Sequence, residues 1–429
     1  MTPSEPPALT STLVRQVHGS SAETALAPIP RRAVATLSMA AFLSGLSMRV
    51  TDALLPMLTR DFAVSLVQAA HVITAFSVAY GVSQLCFGPV GDRYGKYRVI
   101  AWACGVCAVT ATLCALARSH DQLVATRLLA GATAAAIIPL SMAWIGDVVP
   151  YEQRQPLLAR FLIGQILGLS AGVFVGGYAA DHWTWRVPFA GLGLGFACVS
   201  VALFRVQRRL PARARLRQPG GGHAVRRAVD EFSAVLALPW ARAVLLTVFL
   251  EGGSVYGAFA FIVTHLNRRF AVDLSSAGAV VMLFGFGGLL FALLSAPLVR
   301  RLGERGLVLA GGGLLSTSLA AIGIVPQWGW AAPLCFLAGL GFYMMHNTLQ
   351  TNATQMAPQR RGAAVSAFAA CFFLGQAVGV AGAATLVSRL GTRAALAAGG
   401  LGVLAVAVNF ARRLTRHPAP SRSVAPASR

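Results

Sequence analysis

Residues 88–98 read GPVGDRYGKYR and join two long apolar runs of the chain. Gly88 permits two helices to approach closely and Gly95 permits a tight turn, because glycine has no Cβ. The charged residues of the stretch can form ion pairs that break and re-form. They are Asp92, Arg93, Lys96 and Arg98. The stretch therefore predicts a short, charged turn between two helices.

The regions around this turn are too apolar for a water-soluble protein. Of the 429 residues, 56% are hydrophobic and 12% are charged, against about 25% charged in an ordinary soluble domain. A helix crosses the roughly 30 Å of a bilayer core with about 20 mainly apolar residues. The predicted fold is an all-α membrane protein with twelve transmembrane helices. The predicted spans are 34–57, 67–89, 98–117, 122–144, 157–179, 187–204, 243–264, 275–298, 307–325, 330–350, 363–387 and 393–410.

The chain repeats itself once. A shift of 208 positions lays residues 88–95 on 296–303 and Gly131 on Gly339, and a shift of 211 lays 164–168 on 375–379. An even number of helices in each unit gives both units the same membrane orientation, the parallel-repeat plan of transporters. The predicted domains are a disordered tail (1–32), a six-helix bundle (33–204), a basic linker (205–242), a second six-helix bundle (243–411) and a tail (412–429).

Basic residues indicate how the chain is oriented. The net charge is +22, and most basic residues fall in the tails and in alternate loops, which predicts that both termini are cytoplasmic. The basic residues separate the apolar runs and do not form one basic face, so nucleic-acid binding is not expected. The seven cysteines lack metal-ligand spacing and are predicted to be small buried hydrophobes, with no metal site.

The 88–98 loop resembles the signature loop of the major facilitator superfamily (MFS), and the likeness extends over residues 33–412. In that family the loop gates the cytoplasmic side, and its basic residue pairs with an acid at the end of helix 4. The resemblance implies that Lys96 pairs with Asp147 here. Tyr97 stands where the family often has a second basic residue.

Four charged residues inside predicted spans are candidates for proton coupling, since ionisable groups in a membrane are costly. Arg127 resembles the family's helix 4 arginine, although its side chain is also able to reach the outer interface. Arg49 and Asp52 are three positions apart on one helix face, where their side chains can form an ion pair. This pair either has a function in transport or lies at the outer membrane interface. Glu251 has no basic residue within four positions, and burial of an unpaired carboxylate favours its protonated form.

A row of glycines in the fifth span lets a neighbouring helix pack closely. The row consists of Gly164, Gly168, Gly172, Gly176 and Gly177. It resembles the antiporter motif of the superfamily's drug exporters, but Val173 stands at the position of that motif's characteristic proline.

Five polar residues are candidates for lining a substrate cavity. They are His346, Asn347, Gln350, Gln165 and Gln376. A membrane histidine is also often merely a satisfied core residue. The segment around His346 resembles bacterial members of the superfamily assigned to drug or sugar efflux.

The sequence thus favours a secondary transporter, not an enzyme, that exports a small amphipathic or drug-like solute by proton antiport. Proton-coupled uptake or facilitated diffusion of a metabolite such as a sugar is the alternative, and a transport-inactive membrane receptor is the second alternative. No cofactor is expected, because the proton gradient supplies the energy. The expected partners are the solute, protons and the lipid bilayer, around a monomer in the cell inner membrane.

Overall fold

The computed structural model describes residues 31–149, 151–211, 214 and 224–416. Most of the two predicted tails and part of the predicted linker lie outside this set. The described chain is built of α-helices and short turns. The helices are α1 Arg31–Arg49, α2 Leu55–Asp61, α3 Leu66–Tyr94, α4 Lys96–Leu116, α5 His120–Ala134, α6 Ile137–Val148, α7 Tyr151–His182, α8 Arg186–Gln207, α9 Ala224–Ala237, α10 Pro239–Phe259, α11 Ile262–Phe270, α12 Leu274–Ile324, α13 Ala331–Gln355, α14 Arg361–Leu390 and α15 Thr392–Arg416.

The all-helical membrane fold is confirmed, whereas the number of twelve spans stays a prediction. In the described part of the chain, ten helical segments are long and apolar enough to cross a membrane. One of them, α12, has 51 residues, about 76 Å at 1.5 Å per residue, which is more than twice the thickness of a bilayer core. It bends at Gly303, where φ is 61° and the backbone is not helical. The two arms correspond to the predicted spans 275–298 and 307–325.

Three of the predicted spans are interrupted in the structure. The first is broken by the turn at residues 50–54, the fourth at Ala135 and the seventh at Ala260. In a continuing helix a proline ring clashes with the carbonyl of the residue four positions before it. For Pro56 and Pro139 those residues are Asp52 and Ala135, which lie in the first two breaks. The breaks in the fourth and seventh spans are short, and His120–Val148 and Pro239–Phe270 are each one segment long and apolar enough to cross a membrane.

Two apolar cores follow the two halves of the chain, one formed mainly by residues 33–214 and the other mainly by residues 235–414. The repeat is preserved in their contacts. A Cβ at Gly131 of α5 would collide with the carbonyl of Phe76 in α3, and a Cβ at Gly339 of α13 would collide with that of Phe284 in α12. Both pairs are related by the same shift of 208 positions, so the duplicated units pack alike.

The outer surface of the helices is apolar, as expected where lipid replaces water. Leu293 is 80% exposed and Ile324 is 74% exposed. Cys86 and Cys198 are also exposed, so the prediction that all seven cysteines are buried is wrong for these two. Helix α9 lies inside the predicted basic linker.

Candidate functional site

A buried charged network lies where the first span is interrupted. Arg49 is the last residue of α1 and Asp52 lies in the following turn, and their side chains are 4% and 2% exposed. Arg49 Nη1 donates to Asp52 Oδ2 at 3.5 Å. The pair is therefore buried inside the protein.

The network connects the two halves of the chain. Arg49 Nη2 donates to Oε1 of Gln376 in α14 at 3.0 Å, and Gln376 Nε2 donates to Oγ of Ser77 in α3 at 2.8 Å. Gln376 is 2% exposed. A movement of the halves that separates Gln376 from Arg49 and Ser77 breaks these hydrogen bonds.

A cavity lies beside Arg49, between the halves. It accommodates the centre of a water molecule over ≈ 20 Å³, enough for about one ordered water. Arg49 also stacks on Tyr256, with its guanidinium carbon 3.7 Å from the ring centroid. The cavity is lined by Arg49, Leu169, Ser170, Val173, Tyr256, Phe259, Val281, Phe284, Gly285 and Tyr343. We call this space the Arg49 cavity.

Arg127 lies deep in the first half, with 1% of the residue exposed. Its guanidinium carbon is 4.1 Å from the ring centroid of Phe76, and Nη1 donates to Ser47 Oγ at 3.5 Å. The side chain is therefore enclosed by protein. It faces the interrupted first span, close enough to act electrostatically on Asp52.

Glu251 has a partner that its local sequence does not reveal. Its Oε2 lies 2.9 Å from Nδ1 of His346 in α13, and the side chain of Glu251 is fully buried. The prediction of an unpaired carboxylate is therefore wrong. Aromatic rings enclose the pair on the α13 and α14 sides. Those nearest His346 are Phe342, Phe368 and Phe372.

The remaining candidates for a substrate cavity are dispersed. His346 belongs to the Glu251 pair, Gln376 to the Arg49 network, and Gln350 is exposed. Gln165 and Asn347 are partly buried. None of the five lines the Arg49 cavity. Aromatic residues line it instead, and sequence reasoning missed them because aromatic side chains are common throughout apolar helices.

The turn at residues 94–96 carries a local charge cluster, and we call its side of the protein the motif face. Lys96 Nζ lies 3.0 Å from Asp92 and 2.5 Å from Asp147. Arg93 and Arg98 are exposed. Gly95 has φ of 89°, a conformation that favours glycine.

In this motif the close approach of two helices occurs at Gly91, and not at Gly88 as predicted. A Cβ at Gly88 would meet no other atom within 4 Å, whereas a Cβ at Gly91 would lie 2.5 Å from Leu140 Cδ2. Leu140 belongs to α6, which ends beside Asp147. Packing at Gly91 therefore brings Asp147 towards Lys96.

The glycine row of α7 packs on α1. A Cβ at Gly164 would lie 2.8 Å from the carbonyl oxygen of Ser38, and Gly168 and Gly172 face the next turns of α1 in the same way. Gly176 faces Val50 in the turn that follows α1. Gly177 instead abuts the carbonyl of Leu274 at the start of α12, in the other half. The row thus holds the interrupted first span in place.

The two halves also meet on the side opposite the motif face, which we call the far face. Asp181 in α7 accepts hydrogen bonds from the backbone N–H groups of Leu274 and Ser275 at 3.2 and 2.6 Å, and from the Ser275 hydroxyl. A residue of the first half thus caps a helix of the second. Sequence reasoning missed Asp181, whose partners are 93 and 94 positions away.

Apolar helices in two similar halves, with a buried charged network between them, define a polytopic membrane transporter. The sequence model of the Major Facilitator Superfamily matches residues 37–380. The chain therefore belongs to that superfamily, and it is a transporter and not an enzyme.

Known relatives agree with this assignment. The chain is 26% identical over 342 residues to the uncharacterized MFS-type transporter YceJ of Bacillus subtilis (strain 168), covering 79% of this chain and 85% of that protein. It is 29% identical over 175 residues to the multidrug export protein EmrB of Escherichia coli (strain K12), covering 40% and 34%. The crystal structure of the human organic anion transporter MFSD10 has the same fold, with a TM-score of 0.67, 19% identity and coverage of 89% and 99%.

Proposed function

We propose that this protein exports a small amphipathic or drug-like solute in exchange for protons, by alternating access between two six-helix bundles. The observation that carries the proposal is the buried Glu251–His346 pair beside a charged network that joins both halves. Ionisable groups this deep in a membrane protein mark ion or proton pathways. The similarity to a multidrug export protein supports export.

Each arm of α12 crosses the membrane once in this proposal, and the interrupted segment α1–α2 crosses it as well, which gives twelve spans. Both termini lie in the cytoplasm, as the basic loops indicate. The motif face is then cytoplasmic and the far face is external. A bacterial cell inner membrane is the proposed location, in keeping with the bacterial relatives.

Glu251 is the proposed proton carrier. Glu251 lies at hydrogen-bond distance from His346 across α10 and α13, and the second carboxylate oxygen, Oε1, has no hydrogen-bond partner among the described residues. Protonation removes the charge on Glu251 and weakens its attraction to His346, so the packing of α10 on α13 changes with the proton. Asp52 is the second candidate, because its neutralisation would weaken the pairing with Arg49.

Proton flux in reconstituted vesicles tests the proposal. Vesicles containing a trapped pH-sensitive dye are given a gradient of ethidium or of 1-naphthalenesulfonate, and the direction of proton movement is recorded. We expect protons to move against the solute in the wild type and the coupling to disappear in Glu251→Gln and to weaken in Asp52→Asn. Glu231→Gln in α9 and Asp61→Asn in α2 make the same chemical changes elsewhere and should behave as wild type.

Two results would contradict parts of this proposal. Unchanged coupling in Glu251→Gln would remove Glu251 as the carrier. Protons that move with the solute would exclude antiport.

Proton-coupled uptake or facilitated diffusion is the second candidate function, and Val173 favours it. Val173 is 1% exposed within the continuous helix α7, where the antiporter motif has its proline. The same vesicle experiment separates the candidates. Co-movement of solute and protons supports coupled uptake, and solute flux without proton flux supports facilitated diffusion.

A further inference from the structure

We propose that the Arg49 cavity binds the anionic group of an amphipathic organic anion, with Arg49 holding the negative charge and the aromatic wall holding the apolar body. This assignment names the substrate class of the transporter proposed above and rests on that function. It excludes lipophilic cations as the preferred solutes.

The charge of the cavity wall carries the inference. Of the residues that line the cavity, Arg49 is the only one that bears a formal charge, and it is positive. Asp52 and Glu251, the nearby buried carboxylates, do not line it. In a poorly solvated cavity, unlike charges attract and like charges repel far more strongly than in water. An anionic group is therefore stabilised at Arg49, and the rest of the wall offers a cation no carboxylate.

Arg49 has donor groups for a further acceptor. A guanidinium carries five N–H groups, and the described hydrogen bonds engage Nη1 with Asp52 and Nη2 with Gln376. The bond to Asp52 is long at 3.5 Å. An anionic oxygen entering from the cavity can displace this contact or use the remaining N–H groups, in the two-point geometry that arginine favours.

Asp52, when an anion displaces it from Arg49, still has a positive charge near it. Arg127 also attracts Asp52 electrostatically, so two guanidinium groups serve one carboxylate in the first half of the chain. When an anion occupies Arg49, Asp52 remains in the field of Arg127. The proton step of the proposed function stays with Glu251 and His346, outside the cavity.

The rest of the cavity fits an apolar, preferably aromatic, body. Tyr256, Phe259, Phe284 and Tyr343 contribute rings from the second half, and Leu169 and Val173 contribute aliphatic side chains from the first. Both halves thus contact one solute. In this structure the space is about that of one water molecule, so binding requires the movement of the halves that alternating access supplies.

Three naphthalene compounds with the same ring but different charges test the proposal. They are 1-naphthalenesulfonate (anion), 1-naphthylmethanol (neutral) and trimethyl(1-naphthylmethyl)ammonium (cation), and their charges are independent of pH. Binding to the full chain in lipid nanodiscs is measured by calorimetry and by the shift in thermal unfolding. We expect the anion to bind about tenfold or more tightly than the neutral compound, and the cation to bind most weakly.

Arg49→Gln should lower the affinity for the anion about tenfold and change the affinity for the neutral compound by less than about twofold, each relative to wild type. Arg49→Lys should retain part of the preference, because charge remains while the planar donor geometry is lost. Arg60→Gln, which changes an exposed arginine, is the matched control and should behave as wild type. A cation that binds as tightly as the anion would overturn the proposal, as would a preference for the anion that survives Arg49→Gln.

The comparison of the three compounds on wild-type protein is decisive even if an Arg49 variant fails to fold. Binding and proton coupling are measured separately, so the two proposals fail separately. Preferential binding of the anion without proton flux contradicts the antiport proposal only. Proton flux driven by the cation, with no binding of the anion, contradicts the anion proposal only.

Discussion

The contact of Asp181 with the start of α12 predicts that this side chain helps to hold the far face closed. The carboxylate accepts two backbone N–H groups of the other half, so it acts as a helix cap supplied from outside the helix. Helix caps contribute about 0.5–2 kcal/mol, and a negative charge at a helix N-terminus contributes about 0.3–1 kcal/mol at exposed positions. When the halves separate at this face, these contributions are lost.

The perturbations are Asp181→Asn, which keeps an acceptor oxygen but removes the charge, and Asp181→Ala, which removes both. We expect the closed state to lose about 1 kcal/mol in the first variant and about 2 kcal/mol in the second. These losses correspond to roughly fivefold and thirtyfold shifts in the ratio of closed to open molecules.

Spin labels at Leu116→Cys and Leu390→Cys, both at exposed helix ends of the far face and in different halves, would report the separation by electron–electron double resonance. The exposed Cys86 and Cys198 are first replaced by serine. Molecules with the longer distance should increase from wild type to Asn to Ala.

The matched control is Asp273→Asn. Asp273 caps the same helix from its own half, through the backbone N–H of Ser276 at 2.8 Å, and makes no described contact with the first half. Its backbone hydrogen bond to Ser276 lowers the pKa of Asp273, so the cap is charged at neutral pH. The reasoning is refuted if Asp181→Ala leaves the distance distribution unchanged, or if Asp273→Asn shifts it equally.

Two further predictions concern the motif face and the glycine row. Lys96→Gln and Asp147→Asn should each reduce solute flux in vesicles. The double variant should be no worse than Lys96→Gln alone, because Asp147 acts through its ion pair with Lys96, whereas Lys96 also contacts Asp92. Purely additive losses would contradict this pairing. Gly168→Val should lower the stability of the protein in thermal unfolding by about 1–3 kcal/mol, since the added atoms collide with the Phe42 carbonyl of α1. Gly146→Val, where a Cβ meets nothing within 4 Å, should change stability by about 0.5 kcal/mol or less, and equal effects of the two variants would argue against the packing explanation.

Features that depend on local sequence were predicted well. Apolar length predicts membrane helices because one residue advances a helix by a fixed distance, and the superfamily was indicated by the 88–98 loop. The turn at Gly95 and the contact of Lys96 with Asp92 both form within that loop. Pro56 and Pro139 lie near two helix breaks, but spans predicted from apolar length alone do not show these breaks.

The partners of the buried charges were not predictable in the same way. Glu251 and His346 are 95 positions apart, and Arg49 and Gln376 are 327 positions apart. In a soluble helix the polar face identifies the side that points away from the core. In a membrane both the lipid-facing and the core-facing sides are apolar, so the pattern does not reveal how each helix is rotated.

The sequence alone therefore determined that the chain is a duplicated, helical membrane transporter, because hydropathy, repeat and motif are properties of the chain itself. Only the tertiary structure decided that Arg49 faces a cavity while Glu251 pairs with His346 away from it. The same holds for Asp181, whose partners belong to the other half. These arrangements arise from helix rotation and close packing at small residues, which join groups distant in sequence and set the function proposed for them.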